Sequence, residues 1–112
     1  MMIYEFVIPI RTMTEANTGG HWAVKAKRAK DQRGLGRLMF QSLHLKGLPK
    51  VVTLTRLAPR FLDGHDNLRS SIKHVVDGIA DALGIDDGSN KVEWRYAQRK
   101  AKEYGVLVEV IG

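Results

Sequence analysis

Four aspartates in two pairs stand out in this chain as groups that could do chemistry. Asp63 and Asp66 precede a helical pattern, and Asp86 and Asp87 follow it, in LDGHDNLRSSIKHVVDGIADALGIDD. Carboxylates held close repel one another, so bunched acid in a basic chain needs a cause. One cause is a divalent cation. Two or three carboxylates suit Mg²⁺, which takes oxygen ligands and keeps several of its waters. It would activate water and stabilise charge on a phosphoryl oxygen. The other cause is structural. Asp66 is placed to cap the helix, and Asp86 and Asp87 open a turn with Gly88, Ser89 and Asn90. On the residues alone both readings stand, and the structural one is the commoner.

The elements that must position these groups follow from periodicity. Residues 2–9 read as a strand ended by Pro9, and 11–20 as a loop with Asn17 and Gly19-Gly20. His21 to Leu45 reads as one helix with a soft middle, or as two pieces meeting near Gly34, since Gly34 and Gly36 each cost about 1 kcal/mol relative to Ala. Val51 to Leu57 is a β-branched second strand. From about Asn67, Leu68, Ile72, Val75, Val76, Ile79 and Leu83 share one helical face, and Gly84 stops the helix. Asp66, Ser70, Lys73, Asp77 and Asp81 fall on the other face. Val92 to Gln98 and Val106 to Ile111 are the last strands, and their short link predicts an antiparallel hairpin. The expected fold class is α/β (α+β-like). It is a single small domain over 1–112 in β-α-β-α-β-β order, with a mixed four-stranded sheet and two helices.

Composition narrows the function classes. The 112 residues carry a net charge of +6 and no cysteine. Disulfide scaffolds and thiolate zinc sites are excluded. None of His21, His44, His65 and His74 has a zinc-helix partner at i, i+4. No apolar run reaches the ~20 residues of a spanning helix. The N-terminus lacks a basic leader, so a cytoplasmic protein is expected. Lys25, Lys27, Arg28, Lys30, Arg33 and Arg37 crowd the first helix against the single acid Asp31. Such a run suits a phosphate backbone or a solvated face. Arg56 and Arg60 add positive charge near the end of the second strand.

The string DNLRSSIKHVVDGIADALGIDDGS resembles the RusA-type Holliday junction resolvases, phage-borne members especially. Pro9, Asn17, the basic helix and the closing WRYAQRK extend the likeness over nearly the whole chain. The resemblance implies a homodimeric, Mg²⁺-dependent endonuclease that resolves four-way DNA junctions by paired nicks, in recombination and repair. It implies Asp66 and Asp87 as metal ligands and catalytic residues. The family pattern Asp-x-Asp-Asn has Gly64 at its first position here, with Asp63 one residue earlier as the substitute. The family lysine falls on Ser70, and the resemblance passes its catalytic role, stabilising charge on the phosphate, to Lys73 three residues later on the same face. The eight basic residues named above would hold the DNA arms. The alternative is a junction-binding protein of the same fold with a weakened centre, which Gly64 leaves open.

The expected helix sets a geometric condition. About seventeen residues span roughly 25 Å, and the segment 84–87 can return at most ~14 Å. Asp66 and Asp87 therefore meet only if the helix starts late or breaks, or if a dimer sets two helices antiparallel. Otherwise Asp87 stays with Asp77 or Asp81, and Asp66 is a cap.

Overall fold

The computed structural model describes residues 3–12, 22–86 and 88–112. Asn17, Gly19, Gly20, His21 and Asp87 lie outside the described residues, as does the His65 side chain. The elements are β1 (Ile3–Ile8), α1 (Trp22–Gln41), β2 (Val51–Ala58), α2 (His65–Leu83), β3 (Glu93–Lys100) and β4 (Gly105–Ile111). The expected element order and fold class hold: a mixed four-stranded sheet with two helices. No helix among the described residues is long and apolar enough to cross a membrane.

The sheet order is β1-β4-β2-β3. β4 runs antiparallel to both β1 and β2, and β3 runs parallel to β2. So β1, β2 and β3 all point the same way. The two crossovers, β1-α1-β2 and β2-α2-β3, join parallel strands, and such crossovers are right-handed. That puts both helices on one face of the sheet. The even-numbered strand residues meet them: Ile8, Val52, Leu54, Val106, Val108 and Val110 are buried with Ile72, Val75 and Ile79 of α2.

The expected β3–β4 hairpin is not formed. β2 lies between the two strands. The link 101–104 carries the chain past the end of β2, where Ala101 N–H donates to the Ala58 carbonyl at 3.0 Å. Two strand spacings come to about 9.6 Å, within reach of four residues. Composition explains the exchange. GVLVEVI is apolar enough for the centre, whereas EWRYAQRK carries charges that suit an edge.

The helices also differ in detail from expectation. α1 is one uninterrupted helix that ends at Gln41. Trp22, its first residue, is exposed. Gly36 lies against the Val75 backbone, and Gly78 of α2 lies against that of Arg33. These glycines mark the helix crossing rather than a weak point. α2 begins at His65 with Gly64 as its N-cap residue, and no side chain caps it. Asp66 therefore stands in the first turn, where the helix dipole favours its charge, and is not the cap. Gly84 closes the helix in the left-handed conformation, and Ile85 N–H donates to the Ala80 carbonyl at 3.0 Å.

Candidate metal and nucleic-acid site

Three parallel strands end at the same edge of the sheet, and in open α/β sheets ligands settle outside that edge. Here the edge carries residues 9–12 after β1, the loop 59–64 after β2, and residues 101–104 after β3. The first turns of α1 come down beside it. Ile10 and Arg11 share a cleft with Val24, Lys27 and Arg28, and Gln32 Nε2 donates to the Arg11 carbonyl at 3.4 Å.

The loop with Asp63 and Asp66 is fastened from three sides. Gln98 of β3 accepts from Leu62 N–H at 2.8 Å and donates Nε2–H to the Leu62 carbonyl at 3.0 Å. Arg56 donates to Thr12 Oγ1 at 3.0 Å and to the Arg60 carbonyl at 2.9 Å. Asn67 Nδ2 donates to the Asp63 carbonyl at 2.6 Å and closes the turn between the two aspartates. Arg56 is thus buried, not on the surface where a DNA contact was expected. Burial holds its guanidinium below its ordinary value, the Arg11 charge adds to that, and Tyr104 opposes it. Gln98 carried no sequence signal, because its role depends on β3 lying beside β2.

Asp63 and Asp66 are both exposed, and among the described residues neither carboxylate is held in an ion pair. Two hard oxygen donors on a fixed turn fit Mg²⁺, which is commonly held by one or two carboxylates plus phosphate oxygens and water. Among the described residues no group of three or more His, Asp or Glu stands close enough to share a metal. The fit is therefore to a shared site, in which protein supplies part of the shell.

Gly64 belongs to this turn for a backbone reason. Its φ of 79° and ψ of 147° lie in a region that is essentially glycine's alone. Filling the family's first acidic position by Gly64→Asp should therefore fail to add a metal ligand. It should destabilise the fold by about 1–3 kcal/mol, read as a melting temperature lowered by several degrees. Among the described residues, its chain neighbours aside, no atom stands within 4 Å of a Cβ placed there, so the cost is conformational strain and not a clash.

Basic residues flank the two aspartates along the chain and stand on the neighbouring elements. Arg11 lies over the Tyr104 ring at 4.7 Å, and Lys100 over the half-exposed Phe61 ring at 5.3 Å. Arg60 is exposed. Beside α2, Arg69, Ser70, Lys73 and Val76 border a cleft of about 270 Å³ with Tyr96 of β3. Arg69 stacks over Tyr96 at 5.3 Å, and Lys73 Nζ lies 3.5 Å from Asp77 Oδ1. Both side chains are N–H donors, and the cleft is large enough for a phosphate group. On α1, Lys27 pairs with Asp31, while Lys30 and Arg37 are exposed and Lys25 and Arg28 are half-buried.

The second acidic group lies at the opposite end of the helix. α2 has 19 residues, a length of about 28 Å. Asp77, Asp81 and Asp86 line one cleft there with Arg33. Arg33, expected on DNA, instead grips Asp81 through two hydrogen bonds of 2.5 and 2.8 Å. Asp86 Oδ1 accepts from Gly88 N–H at 3.1 Å, as a turn residue does. Within one chain Asp66 and Asp86 are thus kept apart by the whole helix.

Hydrogen bonds from Arg33 hold Asp81 below the usual carboxylate range, partial burial opposes this, and the charges of Arg33 and Arg37 add to the lowering. A carboxylate lowered on folding contributes stability above its unfolded value of about 4. That contribution is lost as pH falls through the folded value. Asp81→Asn should therefore lower the melting temperature modestly at pH 7, since the pair is partly exposed. The gap to the unmodified protein should close once the pH is below the carboxylate range.

No protein-family model matches this chain. The chain is 36% identical over 78 residues to an uncharacterized protein of Xylella fastidiosa. The match covers 63% of this chain and 51% of the other, so the chain spans about half the length of that relative.

Proposed function

We propose that this chain is a magnesium-dependent endonuclease that binds branched DNA and cuts four-way junctions, working as a homodimer in the cytoplasm. The observation that carries the reading is the fastened turn holding Asp63 and Asp66 at the carboxyl edge of three parallel strands, with cations on both sides. Asp63 and Asp66 would hold the ion. The resemblance adds Asp87, which lies outside the described residues. Magnesium bound there supplies charge stabilisation at a phosphoryl oxygen and acidifies water.

The remaining chemistry belongs to the chain's own groups. Arg69 and Lys73 would seat a backbone phosphate in the cleft beside Tyr96 and stabilise charge on it. Lys73 exchanges its loose pair with Asp77 for that phosphate. Arg11, Lys27, Arg28, Arg60 and Lys100 would hold the flanking duplex through phosphates, which position DNA without reading sequence. Gln98 and Arg56 act through the loop they fix, so they are positioning residues.

The test is nicking of a synthetic four-way junction, with linear duplex of equal length as the comparison. Cleavage of the junction in Mg²⁺ that stops with a chelator supports the assignment. Junction binding without cleavage favours the alternative of a binding protein with a weakened centre, a reading that the backbone demand at Gly64 supports. Neither binding nor cleavage at low salt overturns both.

A further inference from the structure

Phe61 is 53% exposed, in the loop that leads to Asp63 and Asp66. A single apolar side chain in water is ordinary. The way this one is held is not. The residues on both sides of it are fastened through their backbone. The Arg60 carbonyl accepts from Arg56 at 2.9 Å, and Gln98 grips Leu62 by its N–H at 2.8 Å and its carbonyl at 3.0 Å. Arg56 is buried and Gln98 half-buried, so the fastenings reach into the body of the fold. Turning the ring inward would break them. The loop therefore displays a ring that a free loop would tuck away.

What surrounds the ring identifies its occupant. Lys100 Nζ lies over it at 5.3 Å, and the next residue along the chain toward β2 is the exposed Arg60. Tyr104 and Tyr96 also lie beneath cations, Arg11 and Arg69, but both are half-buried. An aromatic ring in water among cations is a stacking platform for a nucleic-acid base, whose phosphate the cations meet. Two residues span at most about 7 Å, so the ring stands within about one nucleotide of Asp63. We infer that Phe61 distinguishes branched DNA from linear duplex, by stacking on a base at the branch point.

This rests on the reading of the chain as a junction nuclease and gives that reading a source of selectivity. Phosphate contacts position DNA, and phosphates are present on linear and branched DNA alike. A ring reads something else. In a linear duplex each base is covered by its neighbours, and an apolar wedge gains contact only after unstacking a step, which opposes binding. At a branch point strands pass from one arm to another, and continuous stacking is interrupted there. The ring then meets a base face with little to displace. Phe61 also stands on the same fixed loop as the aspartates, so the nucleotide it selects lies beside the metal site.

Equilibrium binding with a chelator present, to a synthetic four-way junction and to a linear duplex of equal length, tests this with Phe61→Ala and Phe61→Trp. Without metal, binding is read apart from cutting. Phe61→Ala should bind the junction at least about fivefold more weakly and the duplex within about twofold of the unmodified chain. Phe61→Trp should restore junction binding, and its indole fluorescence should be quenched by the junction and not by the duplex. Both variants should melt as the unmodified chain does, since the ring packs on little of the core. Unchanged junction binding by Phe61→Ala, equal loss on both DNAs, Phe61→Trp as weak as Phe61→Ala, or a variant that no longer melts cooperatively would each overturn the inference and leave the nuclease reading standing. An unmodified chain that binds both DNAs alike, or neither, would sink the reading and the inference together. Selective loss in Phe61→Ala with no nicking by the unmodified chain in Mg²⁺ would sink the nuclease and keep Phe61 as the branch-reading residue.

Discussion

Asp66→Asn should reduce magnesium-dependent nicking of a four-way junction by at least about 100-fold, because even groups that merely orient a metal ligand cost 10–100-fold when removed. The amide keeps the shape of the carboxylate and its place in the first turn of α2 but loses the charge that holds a hard cation. The fold should survive. Only the favourable interaction of Asp66 with the helix dipole is lost, about 0.3–1 kcal/mol, and the loop stays fastened by Gln98, Arg56 and Asn67. Junction binding without metal should be unchanged or tighter, since a negative charge has left a phosphate-facing surface. This opposite movement of binding and cutting separates a metal ligand from a residue that only shapes the surface. Asp81→Asn, at the far end of the same helix, should leave nicking within about twofold, as expected of a partly exposed ion pair. Equal loss from both substitutions would reject the assignment of the site to the strand edge.

Much of this arrangement was legible in the sequence, because periodicity fixes which face of an element is apolar. The α2 face with Leu68, Ile72, Val75, Val76 and Ile79 is buried as its spacing demands. Ser70, Lys73, Asp77 and Asp81 share the outer side. Gly84 ends the helix for the reason that its lack of a side chain suggests. Strand neighbours are a different kind of information. A four-residue link is compatible with a hairpin and with a step over one strand, and composition at the edge decided between them. The fates of Arg56 and Arg33 depend on the same long-range pairing. Only β2 beside β3 and β4 buries the one, and only the crossing of α1 with α2 brings the other to Asp81. Gly64 shows the limit most plainly. Beside a family pattern it reads as a missing carboxylate, whereas its backbone conformation requires a residue without Cβ.

The strongest expected effect on stability is at the helix crossing, and it comes with a control of opposite sign. A Cβ built on Gly78 would stand 2.1 Å from the Arg33 carbonyl oxygen and 3.0 Å from the Arg37 nitrogen. Both are backbone atoms of α1, so no rotamer change relieves the contact. The helices would have to separate by more than an ångström, and the apolar contacts of Val75, Val76 and Ile79 with the sheet would loosen with them. Overpacking of this kind costs about 1–3 kcal/mol and more where backbone must move, against a gain of about 1 kcal/mol from alanine's helix propensity. Gly78→Ala should therefore lower stability by on the order of 3 kcal/mol, a large fraction of what a domain of this size possesses. Gly34→Ala makes the same chemical change in the partner helix, where, among the described residues, no atom beyond the helix's own backbone and the chain neighbours lies within 4 Å of the new methyl group. It should raise stability by about 0.5–1 kcal/mol. Denaturant titrations of the two variants should move the midpoint in opposite directions with little change of slope. Similar shifts in the two would show that the helices do not cross at Gly78, and the placement of α2 over the sheet, with Asp66 at its carboxyl edge, would fall with that contact.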